Sequence, residues 1–372
     1  MKRWSDDQKI LTALEKLGGN ASAQELSDYI SKHEKDKDGK TKRIPARTIR
    51  YRLSTLIERG ILLPSFLETD ERKIGLGEGI LVLQEAPRNT DLLERVIREI
   101  PIFHWYVPTN GKQDGYLVHT TYDITKPSMV DDISKKLKKH GLIQDSFFFD
   151  IANHHTKTID FSLYRPSKGW ACKWNEWKTG IESHLEKNMD PPIDIKTSNE
   201  MIEYDSKDIL ILRVLRDDPD ATMTSLASIT RLPIGTVRDR IQRLRKMSVI
   251  KGYSRAYGFA GDFLWFSCFL QPTGKVGSIL QSIMELPFPG VVLVENPKSF
   301  CVRLGLSASD VKQFMDGFRL FRPHLKSYAF QFHLPDKVES KYREIFNLYD
   351  GQEERWNIPL ESYLGVIEKH AK

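Results

Sequence analysis

Apolar residues recur at helical spacing in two stretches of this 372-residue chain, and the stretches match each other position by position. In "TVRDRIQRLRKMSVIKGY" (236–253), Val237, Ile241 and Leu244 share one side of a helix when each residue turns by about 100°. Gly235, Thr236, Asp239, Gln242, Arg243 and Lys246 then face outward, flanked by Arg238 and Arg240. "TIRYRLSTLIERGILLP" begins at Thr48, 188 residues earlier, and pairs Thr48 with Thr236, Ile49 with Val237, Arg50 with Arg238, Arg52 with Arg240 and Leu56 with Leu244. Its outward set is Arg47, Thr48, Tyr51, Ser54 and Thr55, flanked by Arg50 and Arg52. Each stretch is the third helical segment of a group. "SDDQKILTALEKLGG" and "SAQELSDYISKHEK" precede the first, and "SKDILILRVLRDD", with Asp205 as its cap, and "MTSLASIT" precede the second. Three helices followed by a strand-like tail are the pattern of a winged helix-turn-helix. Ile10-Leu11 match Ile209-Leu210 at an offset of 199, so the first copy carries 11 extra residues. The lysine-rich segment 33–43, ending in Arg43, accounts for them and reads as a mobile loop that adds phosphate contact.

Downstream of each group the pattern alternates between strand and helix periods. "GILVLQ", "NTDLLERVIREI", "FHWYVP", "GYLVHTTYD", "MVDDISKKLKKHG" and "DSFFFDIA" give one β-α-β-β-α-β order. "FLWFSCFLQ", "KVGSILQSIMEL", "GVVLVEN", "SFCVRLGLS", "DVKQFMDGFRLF" and "KSYAFQFHL" give it again. The expected class is α+β, a tandem duplication of one two-part unit: a winged helix-turn-helix plus a ferredoxin-like (βαββαβ) αβ sandwich. The expected boundaries are helix-turn-helix units at 1–70 and 204–257, sandwiches at 74–165 and 258–335, a helical linker at 166–203 and a helical tail at 336–372. Trp170, Trp174 and Trp177 in the linker, and Trp356 in the tail, read as packing anchors. "FLWFSCFLQ" is apolar on both parities, so this strand is expected to be buried on both faces. The two sandwiches are therefore expected to pack sheet to sheet as an intramolecular pseudo-dimer, with a homodimer as the alternative.

Charge sharpens the picture. The chain carries a net +6, yet residues 1–64 alone hold 14 Lys and Arg against 9 Asp and Glu, and residues 204–257 hold 11 against 6. Positive charge is thus concentrated on the repeated helical groups, as expected of surfaces that meet a polyanion. No apolar run approaches the ~20 residues that cross a bilayer. The N-terminal "MKRWSDDQKIL" turns polar at once, without the apolar core of a signal peptide, which points to the cytoplasm. Cys172, Cys268 and Cys301 are far apart and in no CxxC pair. His154 and His155 lack a third ligand in the sequence, and no GxGxxG, P-loop, GxSxG or HExxH pattern occurs. No metal or cofactor is expected.

"YDSKDILILRVLRDDPDATMTSLASITRLPIGTVRDRIQRLRKMSVIKGYS", with the sandwich after it, resembles the leucine-responsive regulatory protein/AsnC family of prokaryotic transcription regulators. The resemblance recurs more weakly over 5–163. The family normally has one module per chain, and Pro45 and Pro233 stand here where its third helix has a polar N-cap. The resemblance implies double-stranded DNA as partner. The DNA-facing residues would be Arg43, Arg47, Thr48, Arg50, Tyr51, Arg52 and Ser54, and Thr236, Arg238, Asp239, Arg240, Gln242, Arg243 and Lys246. Arg47, Tyr51, Arg238 and Gln242 are those expected at base edges. It also implies a small, amino-acid-like effector at a Gly- and Asp-containing turn. "TNGKQDGY" keeps Gly111 and Asp114, with a plain hairpin turn as the competing reading, and "ENPKSF" at 295–300 has lost both. Siroheme decarboxylases resemble the same architecture and give the rival expectation of an enzyme, with His104, His119 and Arg303 in tetrapyrrole-serving roles. A chromosome-organising protein would differ only in its sequence preference.

Overall fold

The computed structural model describes residues 2–33, 43–87, 89–165, 169–197, 200–258, 263–334, 339–340 and 342–371. Residues 34–42, nearly all of the lysine-rich insert, lie outside them. The chain runs α1 (Lys2–Leu17), α2 (Ala23–His33), α3 (Ala46–Glu58), β1 (Leu62–Thr69), β2 (Leu76–Glu85), α4 (Thr90–Glu99), β3 (Phe103–Gly111), β4 (Gly115–Asp123), α5 (Met129–Lys139) and β5 (Ile143–Ile151). A connecting stretch follows, with β6 (Asn153–Lys157), the short pair β7 (Tyr164–Arg165) and β8 (Gly169–Trp170), and α6 (Trp174–Lys187). The first order then recurs. It comprises α7 (Ser206–Asp217), α8 (Met223–Thr230), α9 (Ile234–Lys246), β9 (Ile250–Tyr257), β10 (Phe263–Pro272), α10 (Val276–Met284), β11 (Gly290–Asn296), β12 (Ser299–Ser307), α11 (Ala308–Phe318) and β13 (Leu325–His333). The tail adds β14 (Glu339–Ser340), β15 (Tyr349–Asp350), β16 (Arg355–Trp356) and α12 (Leu360–His370).

Local chemistry fixes the helix starts. Asp205 forms a capping box with Asp208 at the head of α7, and Thr222 Oγ1 accepts from Ser225 N at 3.1 Å at the head of α8. Ser22 and Glu25 exchange the equivalent bonds before α2. The third helices begin differently. Pro45 and Pro233 take extended backbone at the N-cap without a side-chain cap, and their carbonyls accept from Ile49 N and Val237 N at 3.0 Å.

The strand-like tails do not fold back into separate hairpin wings. β1 instead pairs antiparallel with β9, placing Phe66 opposite Ser254 and Leu67 opposite Tyr253, so one ribbon ties the two helical groups together. Each tail is a single strand and needs a partner, and the duplicated tail supplies it.

The sandwich sheets are also joined. Ten strands run β5-β2-β4-β3-β13-β10-β12-β11-β6, with β14 beside β3. β3 meets β13 edge to edge, Gln331 opposite Gly111 and His333 opposite Thr109. At the other end, β5 and β6 are one run of chain separated by Ala152, and β6 lies along β11. The ladder therefore begins and ends on the same segment and curls round on itself, which leaves few bare edges. The faces so enclosed share a small core of Ile80, Val82, Leu117 and Phe149 from the first sandwich with Phe269, Leu293 and Cys301 from the second.

The two units are not self-contained. α7, α8 and α9 pack with the first sandwich: Ile211, Leu212, Val237 and Leu244 share a core with Leu81, Val96, Ile133 and the tail residues Trp356 and Ile367. α1, α2 and α3 share the other core with the second sandwich, where Ile10, Leu14 and Ile49 join Trp177, Ile181, Leu280 and Phe314. Each fully buried aliphatic side chain contributes roughly 1.5–3 kcal/mol, so these cores bind the halves to each other. Trp177 stacks on Phe314 at 5.9 Å and donates Nε1 to Ser282 O at 2.7 Å. Trp356 donates to Ile74 O at 2.5 Å. The tryptophans are packing anchors across this exchange.

Candidate nucleic-acid interface

Val237, Ile241 and Leu244 of α9, and Ile49 and Leu56 of α3, are buried and lock one side of each helix. What remains outside is polar. Thr236, Arg238, Asp239, Gln242 and Lys246 are exposed along α9, and Arg47, Thr48, Arg50, Tyr51 and Ser54 along α3. Arg43 is exposed just before α3. Tyr51 is 64% exposed, an unusual position for a large aromatic ring on a helix with a full apolar stripe. The two outward faces carry different chemistry: Arg-Thr-Arg-Tyr on α3, Thr-Arg-Asp-Gln on α9.

Three of the basic residues assigned to DNA by sequence are already engaged. Arg240 Nη2 meets Asp205 Oδ2 at 2.8 Å, and its Nη1 meets Asp208 Oδ1 at 2.9 Å. Arg243 pairs with Asp208 and donates to Glu203 O at 2.9 Å. In the first copy Arg52 holds Asp7 at 2.7 Å and Asp6 at 3.2 Å. Burial alone would raise the Asp205 carboxyl, but its bonds to Arg240 outweigh that and hold it below the usual carboxylate range. Arg52, Arg240 and Arg243 therefore brace the third helix against the head of the first. Helical periodicity placed them on flanks open to phosphate and could not reveal the acids beside them. A sequence signal existed. Asp6 and Arg52 are 46 residues apart, Asp205 and Arg240 are 35 apart, and the difference equals the 11-residue insert.

The expected effector turn closes the β3–β4 hairpin. Asp114 Oδ1 accepts from Gly111 N at 3.1 Å, so this carboxylate shapes the turn itself. A side chain at Gly111 would collide with the Phe330 carbonyl, which explains the glycine. Lys112 and Gln113 border a cavity of about 170 Å³ at the seam between the sandwiches, with Phe147, Phe269, Gln271 and Gln331. Gln113 N donates to Gln331 Oε1 at 3.0 Å. Gly111 and Asp114 thus place the cavity's border without lining it.

His104 is buried and His119 part-buried beside it, Nε2 to Nδ1 at 2.7 Å, and Thr121 Oγ1 is 3.1 Å from His104 Nδ1. Burial, helped by the charge of Arg216, pushes His104 down to about 3. Arg303 is in the same interior, its guanidinium carbon 4.7 Å from the Trp105 ring. His155 lies 2.7 Å from Asp194 O, and among the described residues no three His, Cys, Asp or Glu side chains are grouped to hold a metal. No helix among them is long and apolar enough to cross a membrane.

Residues 204–251 match the family described as winged helix-turn-helix DNA-binding. An uncharacterised HTH-type transcriptional regulator of Pyrococcus furiosus is 38% identical over 66 residues, which are 17% of this chain and 43% of that protein. The chain thus spans less than half the length of the curated relatives it matches. Among solved structures, the siroheme decarboxylase NirDL aligns over 87% of this chain and 90% of its own, at 12% identity and a TM-score of 0.49. A transcriptional regulatory protein of the AsnC family from Pyrococcus furiosus aligns over 40% and 99%, at 18% identity and a TM-score of 0.28. Residues 204–251 are thus similar to winged helix-turn-helix DNA-binding domains, AsnC-family regulators are among the structural neighbours, and the helix order of α7–α9 repeats that of α1–α3.

Proposed function

We propose that this protein is a sequence-specific regulator of transcription that reads double-stranded DNA with two non-identical helices, α3 and α9. One observation carries the reading. On each helix the apolar side is buried and the bracing arginines are tied to acids, while Arg238, Gln242 and Lys246, or Arg47, Arg50 and Tyr51, remain exposed. Such a row near the start of a helix suits a major groove, with Arg bidentate to guanine and Gln to adenine. Asp239 would accept from a cytosine amine or steer Arg238. Lys246 and Arg43 would hold phosphates and set register. Arg52, Arg240 and Arg243 act one step back, by fixing the angle at which each helix is presented.

The chain works in the cytoplasm as a monomer, its two sandwiches taking the places of paired subunits. A small, amino-acid-like effector would enter the seam cavity beside Lys112 and Gln113, where the ribbon-linked halves meet. Selection of bound sequences from a random duplex pool tests the reading. Enrichment of a defined motif supports it. Binding of all sequences alike would make the protein a chromosome organiser, and no binding at low salt would remove DNA as the partner.

A further inference from the structure

The interior between the facing sheets holds a guanidinium with no carboxylate beside it among the described residues. Arg303 projects from β12 and is part-buried, with its Nη2 atom shut off from solvent. Its Nε reaches Ser267 Oγ at 3.4 Å, its planar end lies 4.7 Å from the Trp105 ring, and Nη2 is buried with no hydrogen-bond partner. The neighbours are neutral. His333 Nε2 shares Ser267 Oγ at 3.0 Å and meets Trp105 edge-on at 5.9 Å. His119 stands opposite Trp105 in the β3–β4 ladder. Burial, reinforced by Arg303, keeps His333 at about 3, and burial, with His104 and Arg303 beside it and Glu71 opposing, keeps His119 well below its ordinary value. Among Arg303, Ser267, Trp105 and His333 the positive charge is therefore Arg303's.

An isolated buried charge is strongly disfavoured unless an opposite charge meets it, and the planar fork of arginine suits a carboxylate. The aromatic face of Trp105 stabilises the cation in part but cannot accept the Nη2 protons in plane. We infer that Arg303, Ser267, Trp105 and His333 form a receptor for a small carboxylate held between the two sheets. The carboxylate oxygens would take Nη2, and the neutral imidazole of His333 would bond a second polar group of the same molecule. A cavity of about 170 Å³ lies one strand away, bordered by Gln331, which pairs with Ser267 in the β10–β13 ladder. This site is separate from the DNA-reading helices and stands whether or not they read sequence.

Thermal unfolding of the full chain in sodium formate or acetate, against sodium fluoride at equal ionic strength, tests the inference. Because ligand binding to the folded state alone raises the midpoint with the logarithm of ligand concentration, the wild type should gain several degrees in acetate over fluoride. Arg303→Met should show no such gain, and its midpoint in fluoride should equal or exceed that of the wild type. Ser267→Ala, a small change that keeps the charge, should still respond but need severalfold more acetate. Equal responses of wild type and Arg303→Met, or no response of the wild type, would overturn the inference. So would tight binding of an iron tetrapyrrole, seen by absorbance and lost in Arg303→Met, since that ligand is far larger than the site assigned here.

Discussion

Arg240 and Asp205 stand 2.8 Å apart, joining the middle of α9 to the cap of α7, and Arg52 and Asp6 make the same bridge in the first copy. Each third helix is thus fastened to the N-terminal part of the first helix of its group, at the cap itself in the second copy. Asp208 is the buried member of this joint, shared by Arg240 and Arg243. Asp208→Ala should destabilise the protein by about 2 kcal/mol, because it removes the buried acceptor of both arginines and half of the α7 capping box. Asp205→Ala should cost only about 1 kcal/mol, since that carboxylate is part-exposed. Urea denaturation of the two variants measures the difference, and equal losses would mean that Asp208 is not the anchor.

Exposed and engaged arginines should separate cleanly. Arg238→Ala and Arg50→Ala should each weaken binding to a selected DNA site by ~1–3 kcal/mol. Their unfolding free energies should stay within about 0.5 kcal/mol of wild type. Arg240→Ala should lower both stability and affinity. Paired binding and denaturation curves decide this, and a stability loss in Arg238→Ala would place that side chain in the fold instead.

Acid should loosen the interior before it protonates most carboxylates. His104 and His333 are both held at about 3 by burial, against about 6.5 in an unfolded chain. The folded state binds fewer protons than the unfolded state across that window. Their neutral forms therefore contribute stability that is complete above about pH 6.5 and is lost as pH falls toward 3. Each histidine adds a slope of up to about 1.4 kcal/mol per pH unit. Urea midpoints at pH 7.5 and 5.0 should differ accordingly, and His333→Asn should flatten part of the difference. A midpoint unchanged between those values would contradict the buried placement.

The exchanged cores predict how the chain comes apart. Residues 1–189 carry Ile10 and Ile49, whose partners Leu280 and Phe314 lie in the other half. Produced alone, either half should aggregate or self-associate, while a chain nicked near 190–197 should remain one particle by sedimentation. Two stable, monomeric halves would show that each unit completes its own core.

The sequence made the repeat legible because Val237, Ile241 and Leu244 recur as Ile49, Leu53 and Leu56 with the same period. The apolarity of "FLWFSCFLQ" on both parities matches a strand that carries Phe266 and Cys268 in one core and Phe269 in another. The β1–β9 ribbon and the exchange were not legible. A strand such as β1 shows the same pattern whether it pairs with its own hairpin or with a distant copy. Ile10 is equally apolar on either sandwich. The fates of Arg52, Arg240 and Arg303 were hidden for a related reason. Periodicity assigns a side chain to a face, but only the tertiary fold decides whether an acid, an aromatic ring or water waits there.

Two different readers in one chain are tested most directly by a single comparison. Duplexes selected from a random pool by the wild type, by Arg50→Ala and by Arg238→Ala should be sequenced side by side at one salt concentration. A site of two unlike halves is expected, with Arg50→Ala relaxing the preference in one half and Arg238→Ala in the other. A palindromic site, or the same positions relaxed by both variants, would contradict it.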